Sequence, residues 1–161
     1  MTRQIKYLFL TFFLIIIQTQ VFKLLSLEGI TPDILTIWIV YIALKRGQLH
    51  ATLWGFIIGL LFDLTTGNFI GLAALTKTIA GFTAGYFFGE NKAPATLGSY
   101  RFVLIVLLVS LIHNSIYFIA FTRGSDIGLL KAIFQFGLAT TFYTAALAFL
   151  PMFGFSRKYI S

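Results

Sequence analysis

An apolar run at residues 102–121, FVLIVLLVSLIHNSIYFIAF, is long enough to cross a membrane as a single helix. Spanning a hydrocarbon core of about 30 Å takes about 20 helical residues. Comparable runs follow one another along the chain, of which 58% is hydrophobic and only 11% charged. Backbone groups in lipid must be hydrogen-bonded within the protein, so we expect helices rather than open strands. The sequence therefore predicts an all-α integral membrane protein.

The apolar runs predict six transmembrane helices that form a single polytopic membrane domain over residues 1–161. Their predicted limits are 7–25, 32–44, 49–64, 69–89, 102–121 and 129–153. The second and third helices are short for complete spans, so an alternative joins them in a hairpin that does not cross the bilayer. A turn at Lys45, Arg46 and Gly47, with snorkelling or local thinning of the bilayer, favours six spans. The next turn is predicted at Gly67, Asn68 and Gly71.

The basic residues predict the orientation of the chain, because cytoplasmic loops carry an excess of Lys and Arg. Most of the 12 basic residues fall on one side of the six-span arrangement, namely Arg3, Lys6, Lys45, Arg46, Lys92, Arg101, Arg157 and Lys158. Both termini are therefore predicted to be cytoplasmic. The net charge of +7 does not gather in one patch or stripe, so we expect no nucleic-acid partner.

The chain lacks the residue patterns of common enzyme and metal sites. It has no cysteine and only two histidines, His50 and His113, so a structural zinc site is not expected. Common hydrolase, metalloprotease and phosphate-binding motifs are absent from the sequence. His113 has no convincing acidic or nucleophilic neighbour in sequence, and we expect it to be a hydrogen-bonded interior residue. We predict no enzymatic activity and no cofactor.

Glycines at four-residue spacing mark the third and fourth helices. Small residues at this spacing let helix backbones approach closely in lipid. The predicted packing glycines are Gly55, Gly59, Gly81, Gly85 and Gly89. Asp63 continues the series of the third helix and Lys77 precedes that of the fourth at the same spacing. Both charges are therefore expected to face protein rather than lipid.

Charged side chains inside the membrane need a partner, because one at a helix centre costs about 2.5–3.5 kcal/mol on insertion scales. Lys77 is predicted about 12 Å from the outer end of its helix, from a rise of 1.5 Å per residue. Asp33 and Asp63 are each predicted near the outer end of a helix. The sequence predicts an ion pair of Lys77 with Asp63 or with Asp33 and does not decide between them.

Other polar side chains are predicted at a similar depth. They are Gln18, Gln20, His113, Asn114 and Gln135. Three interpretations stay open at this point: a small-molecule cavity, a groove for a partner helix, or hydrogen bonds between helices. The candidate polar or partner-binding residues are Asp33, Asp63, Lys77, His113, Asn114 and Gln135.

Four motifs follow one another in the first half of the chain. They are TPDIL at 31–35, YIALKRG at 41–47, GFIIGLLFDL at 55–64 and GNFIGLAAL at 67–75. In this order they resemble the MreD family of bacterial rod shape-determining proteins. The residues that match the family pattern are Pro32, Asp33, Arg46, Gly47, Gly55, Gly59, Asp63 and Gly71. Residues 91–161 match in hydropathy alone, and Lys77 is not part of the pattern.

The resemblance implies a non-enzymatic scaffold subunit of the cell-wall elongation complex in the bacterial cytoplasmic (inner) membrane. It also implies an MreC-like bitopic partner and, through it, the elongation glycosyltransferase, the transpeptidase and, indirectly, MreB filaments. The family is similar in fold to the six-helix S-components of energy-coupling-factor transporters. That similarity keeps an alternative open, namely a small-solute-binding subunit of a transporter.

Overall fold

The computed structural model describes residues 2–67, 69–124 and 126–160, except the side chains of Thr2, Tyr159 and Ile160. Asn68, which the sequence assigns to a turn, lies outside the described residues. Within these ranges the chain forms helices joined by short turns, and no β-strand.

The helices are numbered in chain order. Helix α1 consists of Thr2–Ile16, a π-helical turn at Ile17–Val21, and Phe22–Leu24. The next helices are α2 (Ile34–Arg46), α3 (Gln48–Thr66), α4 (Leu72–Gly85), the short α5 (Ala93–Leu97) and α6 (Tyr100–Thr122). Helix α7 consists of Leu129–Lys131, a π-helical turn at Ala132–Gly137, and Leu138–Ile160.

Four helices in the described part of the chain are long and apolar enough to cross a membrane. These spans are Arg3–Leu24, Gln48–Thr66, Tyr100–Thr122 and Leu129–Lys158. Helices α2 and α4 have 13 and 14 residues, which corresponds to about 20 Å at 1.5 Å per residue. That length is shorter than a typical hydrocarbon core. The span count of six therefore stays a prediction.

Helix α2 lies at the centre of the bundle. Its residues Leu35, Ile39, Val40, Ile42 and Ala43 have no exposed surface. A helix that is apolar on all sides is typically enclosed by protein or lipid. Here α2 is packed against α1, α3, α4, α6 and α7, and its two ends therefore have fixed positions relative to all the long helices.

Helices α3 and α4 pack more extensively than any other pair in the described chain. A methyl group added at Gly55 would overlap the carbonyl of Lys77, and one at Gly59 would overlap the carbonyl of Ala73. The contact is reciprocal, because a methyl group at Gly81 would overlap the carbonyl of Ala51. Glycines on both helices thus allow backbone-to-backbone contact.

The last two predicted packing glycines differ from each other. A methyl group at Gly85 would overlap Gln48 of α3, whereas at Gly89 it would meet only the side chain of Lys92. Gly89 lies beyond α4, which ends at Gly85 instead of at the predicted residue 89. Its backbone therefore does not continue the helix–helix contact.

Candidate functional site

Asp33 caps the start of α2. Its Oδ1 accepts hydrogen bonds from the backbone N–H groups of Leu35 (3.1 Å) and Thr36 (3.2 Å). These N–H groups have no partner within the helix, and a carboxylate there also interacts favourably with the helix dipole. The helix begins at Ile34, so Asp33 is its N-cap rather than a residue of its first turn.

The second oxygen of Asp33 receives side chains from other helices. Oδ2 accepts a hydrogen bond from the Thr36 hydroxyl at 2.7 Å and lies 2.5 Å from Nζ of Lys77 in α4. Nε2 of His113 in α6 lies 3.3 Å from the same oxygen. Of the two pairings that the sequence allowed for Lys77, the structure contains the one with Asp33.

The backbone around Asp33 is bound to the first and last helices. The Asp33 N–H donates to Oγ1 of Thr144 in α7 at 2.9 Å. Gln18, in the π-helical turn of α1, donates from Nε2 to the Pro32 carbonyl at 2.9 Å. Its Oε1 accepts from the N–H of Ile34 at 3.0 Å. Side chains of α1, α4, α6 and α7 therefore meet at the start of α2, and we call this set the Asp33 cluster: Gln18, Asp33, Thr36, Lys77, His113 and Thr144.

The Asp33 cluster is enclosed by protein. The exposed fractions of Asp33, Lys77 and His113 are 9%, 2% and 5%. A buried charge is tolerated when it is paired and its remaining hydrogen-bonding capacity is used. Removing one partner of such a pair costs about 3–5 kcal/mol, because it leaves the other charge uncompensated. The network is therefore expected to be important for folding.

Asp63 has a different set of partners. Its Oδ2 accepts from the N–H groups of Gly71 (2.9 Å) and Ala74 (3.1 Å), and its Oδ1 accepts from the N–H of Ala73 (3.2 Å). Gly71 is the N-cap of α4 and has φ +97°, a conformation that favours glycine. Glycine has no side chain that can cap the helix, and Asp63 from α3 supplies the acceptor. Asp63 thus stabilises the α3–α4 turn.

Asn114 and Gln135 were predicted at one depth, but they have different surroundings. Asn114 is buried and donates to Ser110 Oγ at 3.2 Å and to Thr141 Oγ1 of α7 at 2.9 Å. Gln135 is exposed in the π-helical turn of α7. Gln20 in α1 is exposed as well. Asn114 therefore joins α6 to α7 beside the Asp33 cluster, whereas Gln20 and Gln135 are exposed and are not part of the cluster.

Two further residues of the family pattern, Arg46 and Gly47, lie at the C-terminal end of α2. Gly47 connects α2 to α3 with φ +87°, and its N–H donates to the Ala43 carbonyl at 2.9 Å. The guanidinium of Arg46 lies 5.6 Å from the ring centre of Tyr7 in α1. Arg46 thus lies at the opposite end of α2 from Asp33.

A cavity of about 200 Å³ adjoins the Asp33 cluster. Its aromatic lining residues are Phe62, Tyr117, Phe118 and Phe136, and its polar lining residues include Gln18, Asp33, Lys77, His113, Asn114 and Thr140. Among these, Asp33, Lys77 and His113 contact one another, whereas Gln18 bonds to backbone groups of Pro32 and Ile34. Nδ1 of His113 is buried without a hydrogen-bond partner among the described residues. No group of three or more His, Cys, Asp or Glu side chains gathers in the described chain.

Several members of the network were not identified from the sequence. Thr36 follows Asp33 by three residues, a spacing at which a cap and a hydroxyl can meet, so a local signal existed. Thr144 is 111 residues from Asp33, and Thr141 is 27 residues from Asn114. Such contacts depend on tertiary packing, and hydropathy gives no signal for them.

Apolar helices that pack around a buried ion pair define the class, a multi-pass membrane protein. A family model described as rod shape-determining protein MreD matches residues 1–159, and the chain belongs to this family. It is therefore a rod-shape-related protein of the inner membrane. No curated protein and no solved structure gives a significant match, so the similarity to S-components stays a prediction.

Proposed function

We propose that the chain is a non-enzymatic scaffold subunit of the cell-wall elongation complex and docks a bitopic partner of the MreC type. The observation that carries this proposal is the match to the MreD family over residues 1–159. The elongation glycosyltransferase, the transpeptidase and MreB filaments are reached through that partner. The Asp33 cluster supports a structural role for the buried charges, because their polar atoms mainly contact one another.

The topology proposed for this subunit is one polytopic domain over residues 1–161, with six spans and both termini in the cytoplasm. Helices α2 and α4 are short, but their neighbours enclose them and separate them from most of the lipid. The Asp33 cluster then lies toward the outer leaflet and Arg46 toward the cytoplasmic side. This arrangement follows from the excess of basic residues at one end of the helices.

We place the docking surface for the partner helix on α7 around Gln135. Leu130 and Phe134 lie one turn apart and are 72% and 64% exposed, and Gln135 is exposed beside them. Within the described chain no group bonds to the Gln135 amide, and an unpaired amide in lipid is unfavourable. A hydrogen bond across two membrane helices contributes about 0.6 kcal/mol on average, which corresponds to about threefold in affinity.

Co-purification of the MreC-type partner with the full-length protein tests this surface. We expect Gln135→Leu to lower recovery of the partner about threefold, while the thermal stability of the protein is retained. Phe134→Ala should lower recovery further because it removes packing area. Leu104→Ala on α6, which is 63% exposed, serves as the control. Equal recovery with all three variants would exclude α7 as the docking surface.

Co-purification, together with depletion of the protein from cells, separates the scaffold from the transporter alternative. A scaffold subunit is expected to co-purify with wall-synthesis proteins, and its depletion should make rod-shaped cells round. A solute-binding subunit would instead co-purify with an ATPase pair and a coupling subunit. Unchanged cell shape together with a vitamin requirement would contradict the proposed function.

A further inference from the structure

An apolar groove lies between α1 and α7 and shares no lining residue with the cavity at the Asp33 cluster. Its volume is about 400 Å³ and α2 forms its floor, with Ile37 and Trp38 largely buried at 7% and 8% exposure. Leu10 of α1 and Leu150 of α7 line its sides and are 38% and 68% exposed. The volume is within the range of about 300–1,000 Å³ that is common for ligand sites. The groove is thus large enough to hold part of an apolar molecule.

A stack of aromatic rings runs along the groove toward one end of α2. The rings of Trp38 and Tyr41 are stacked with centres 5.1 Å apart, and those of Tyr41 and Phe155 with centres 5.5 Å apart. Tyr41 lines the groove and also lines a second pocket. The two spaces are therefore adjacent and share one side chain.

The second pocket is basic. It has a volume of about 340 Å³ and is lined by Arg3, Tyr7, Tyr41, Lys45 and Arg46. No acidic residue is among its lining in the described chain. The guanidinium of Arg46 lies over the Tyr7 ring, which orients it. Positive charge is thus concentrated at the mouth of an apolar groove.

We infer that the groove and the basic pocket together form a binding site for one anionic phospholipid. The phosphate lies between Arg3 and Arg46, whose planar donor groups suit phosphate oxygens. The ester region lies beside Tyr41, and an acyl chain fills the groove against Trp38. Basic pockets between membrane helices are a known means of binding acidic headgroups.

The charge of the pocket determines which headgroup fits. A zwitterionic headgroup would bring an ammonium group toward Arg3, Lys45 and Arg46, whereas an anionic headgroup without an amine would not. Each basic residue near a membrane surface adds about fivefold in affinity for an acidic lipid, which corresponds to about 1 kcal/mol. The basic pocket therefore favours a lipid with a negatively charged headgroup, and the apolar groove favours a ligand with an acyl chain.

Native mass spectrometry of the purified full-length protein, titrated with phosphatidylglycerol or phosphatidylcholine, tests this site. We expect one phosphatidylglycerol molecule to bind selectively to the wild type. Arg3→Gln with Arg46→Gln should weaken that binding about 25-fold and leave phosphatidylcholine binding unchanged. Lys92→Gln with Arg101→Gln is the control, because it removes the same charge from exposed positions outside both spaces.

Further variants and a competitor keep the test decisive. Leu150→Trp should obstruct the groove and weaken binding of both lipids. Glycerol phosphate should not displace the lipid, because it cannot occupy the groove; displacement would identify a free-phosphate site instead. If the double variant does not fold, Arg3→Gln alone is compared with Lys92→Gln. The inference would be overturned if the Arg3→Gln, Arg46→Gln variant and the Lys92→Gln, Arg101→Gln control lost phosphatidylglycerol binding equally. It would also be overturned if the wild type bound phosphatidylglycerol no better than phosphatidylcholine.

Discussion

At the scale of single residues, one carboxylate has two structural roles. Asp33 caps α2 through Oδ1 and binds Lys77 and His113 through Oδ2. The cap fixes the position of the carboxylate, and the ion pair then fixes α4 and α6 relative to α2. Two geometric requirements on one side chain leave little freedom for a different pairing.

Lys77→Met should lower the free energy of unfolding by about 3–5 kcal/mol, because it leaves the Asp33 carboxylate buried without its cation. Adding Asp33→Asn should recover part of that loss, since Asn caps a helix about as well as Asp and carries no charge. Denaturant titration in detergent micelles measures both effects. The control is Lys92→Met at an exposed position, which should change stability by about 0.5 kcal/mol or less. If the loss of unfolding free energy in the double variant equals the sum of the losses in Lys77→Met alone and Asp33→Asn alone, the two charges are not coupled.

The sequence predicted a partner for Lys77 but did not identify it. Asp63 and Asp33 were both at a suitable depth, and Asp63 is on the helix that packs most extensively against α4. What excludes Asp63 is competition from the N–H groups of Gly71, Ala73 and Ala74. These donors are backbone atoms, and no residue pattern indicates them.

At the scale of helices, close contact between α3 and α4 holds Lys77 in place. Gly55 lies against the Lys77 carbonyl, so the backbone from which the lysine side chain extends is itself packed against α3. The spacing of the glycines predicted this face up to Gly85. It did not predict the end of α4, where the N–H of Tyr86 bonds to the Thr83 carbonyl, three residues back, and the helix tightens into a turn.

Gly81→Ala should destabilise the protein by about 1–3 kcal/mol, because the added methyl group would overlap the Ala51 carbonyl. Gly154→Ala in α7 is the matched control, because no atom outside the adjoining turns of its own helix lies within 4 Å of the added methyl group. This control should be neutral or stabilising by about 0.5–1 kcal/mol, the usual helix preference for Ala over Gly. Thermal unfolding followed by circular dichroism compares the two variants. Equal effects would mean that the close contact contributes no specific stability.

At the scale of the whole molecule, hydropathy predicted membrane helices but could not establish how many cross. The reason is that α2 and α4 are short and largely enclosed by neighbouring helices, so their composition does not have to match the lipid. Orientation rests on the positions of basic residues, which is a separate signal.

Labelling of introduced cysteines distinguishes six spans from four, and the natural chain has no cysteine that interferes. Leu49 and Ile70 are 70% and 71% exposed, near the two ends of α3. With six spans, a membrane-impermeant maleimide added to intact cells whose outer membrane has been permeabilised should label Ile70→Cys and not Leu49→Cys. If only the four long helices cross, the maleimide should instead label Leu49→Cys and not Ile70→Cys. Glu28→Cys, outside in both cases, and Asn91→Cys, inside in both, are the controls.

We propose that the buried charges serve the fold of a scaffold subunit rather than a reaction or a bound solute. The most direct measurement is cell shape after depletion of the native protein and expression of the Asp33→Asn, Lys77→Met double variant, with its membrane level measured in parallel. We predict rod-shaped cells wherever the double variant accumulates as folded protein, and round cells for Lys77→Met alone in proportion to the protein lost. Round cells that contain a normal level of folded double variant would contradict this structural role, because the charges would then be needed for something other than folding.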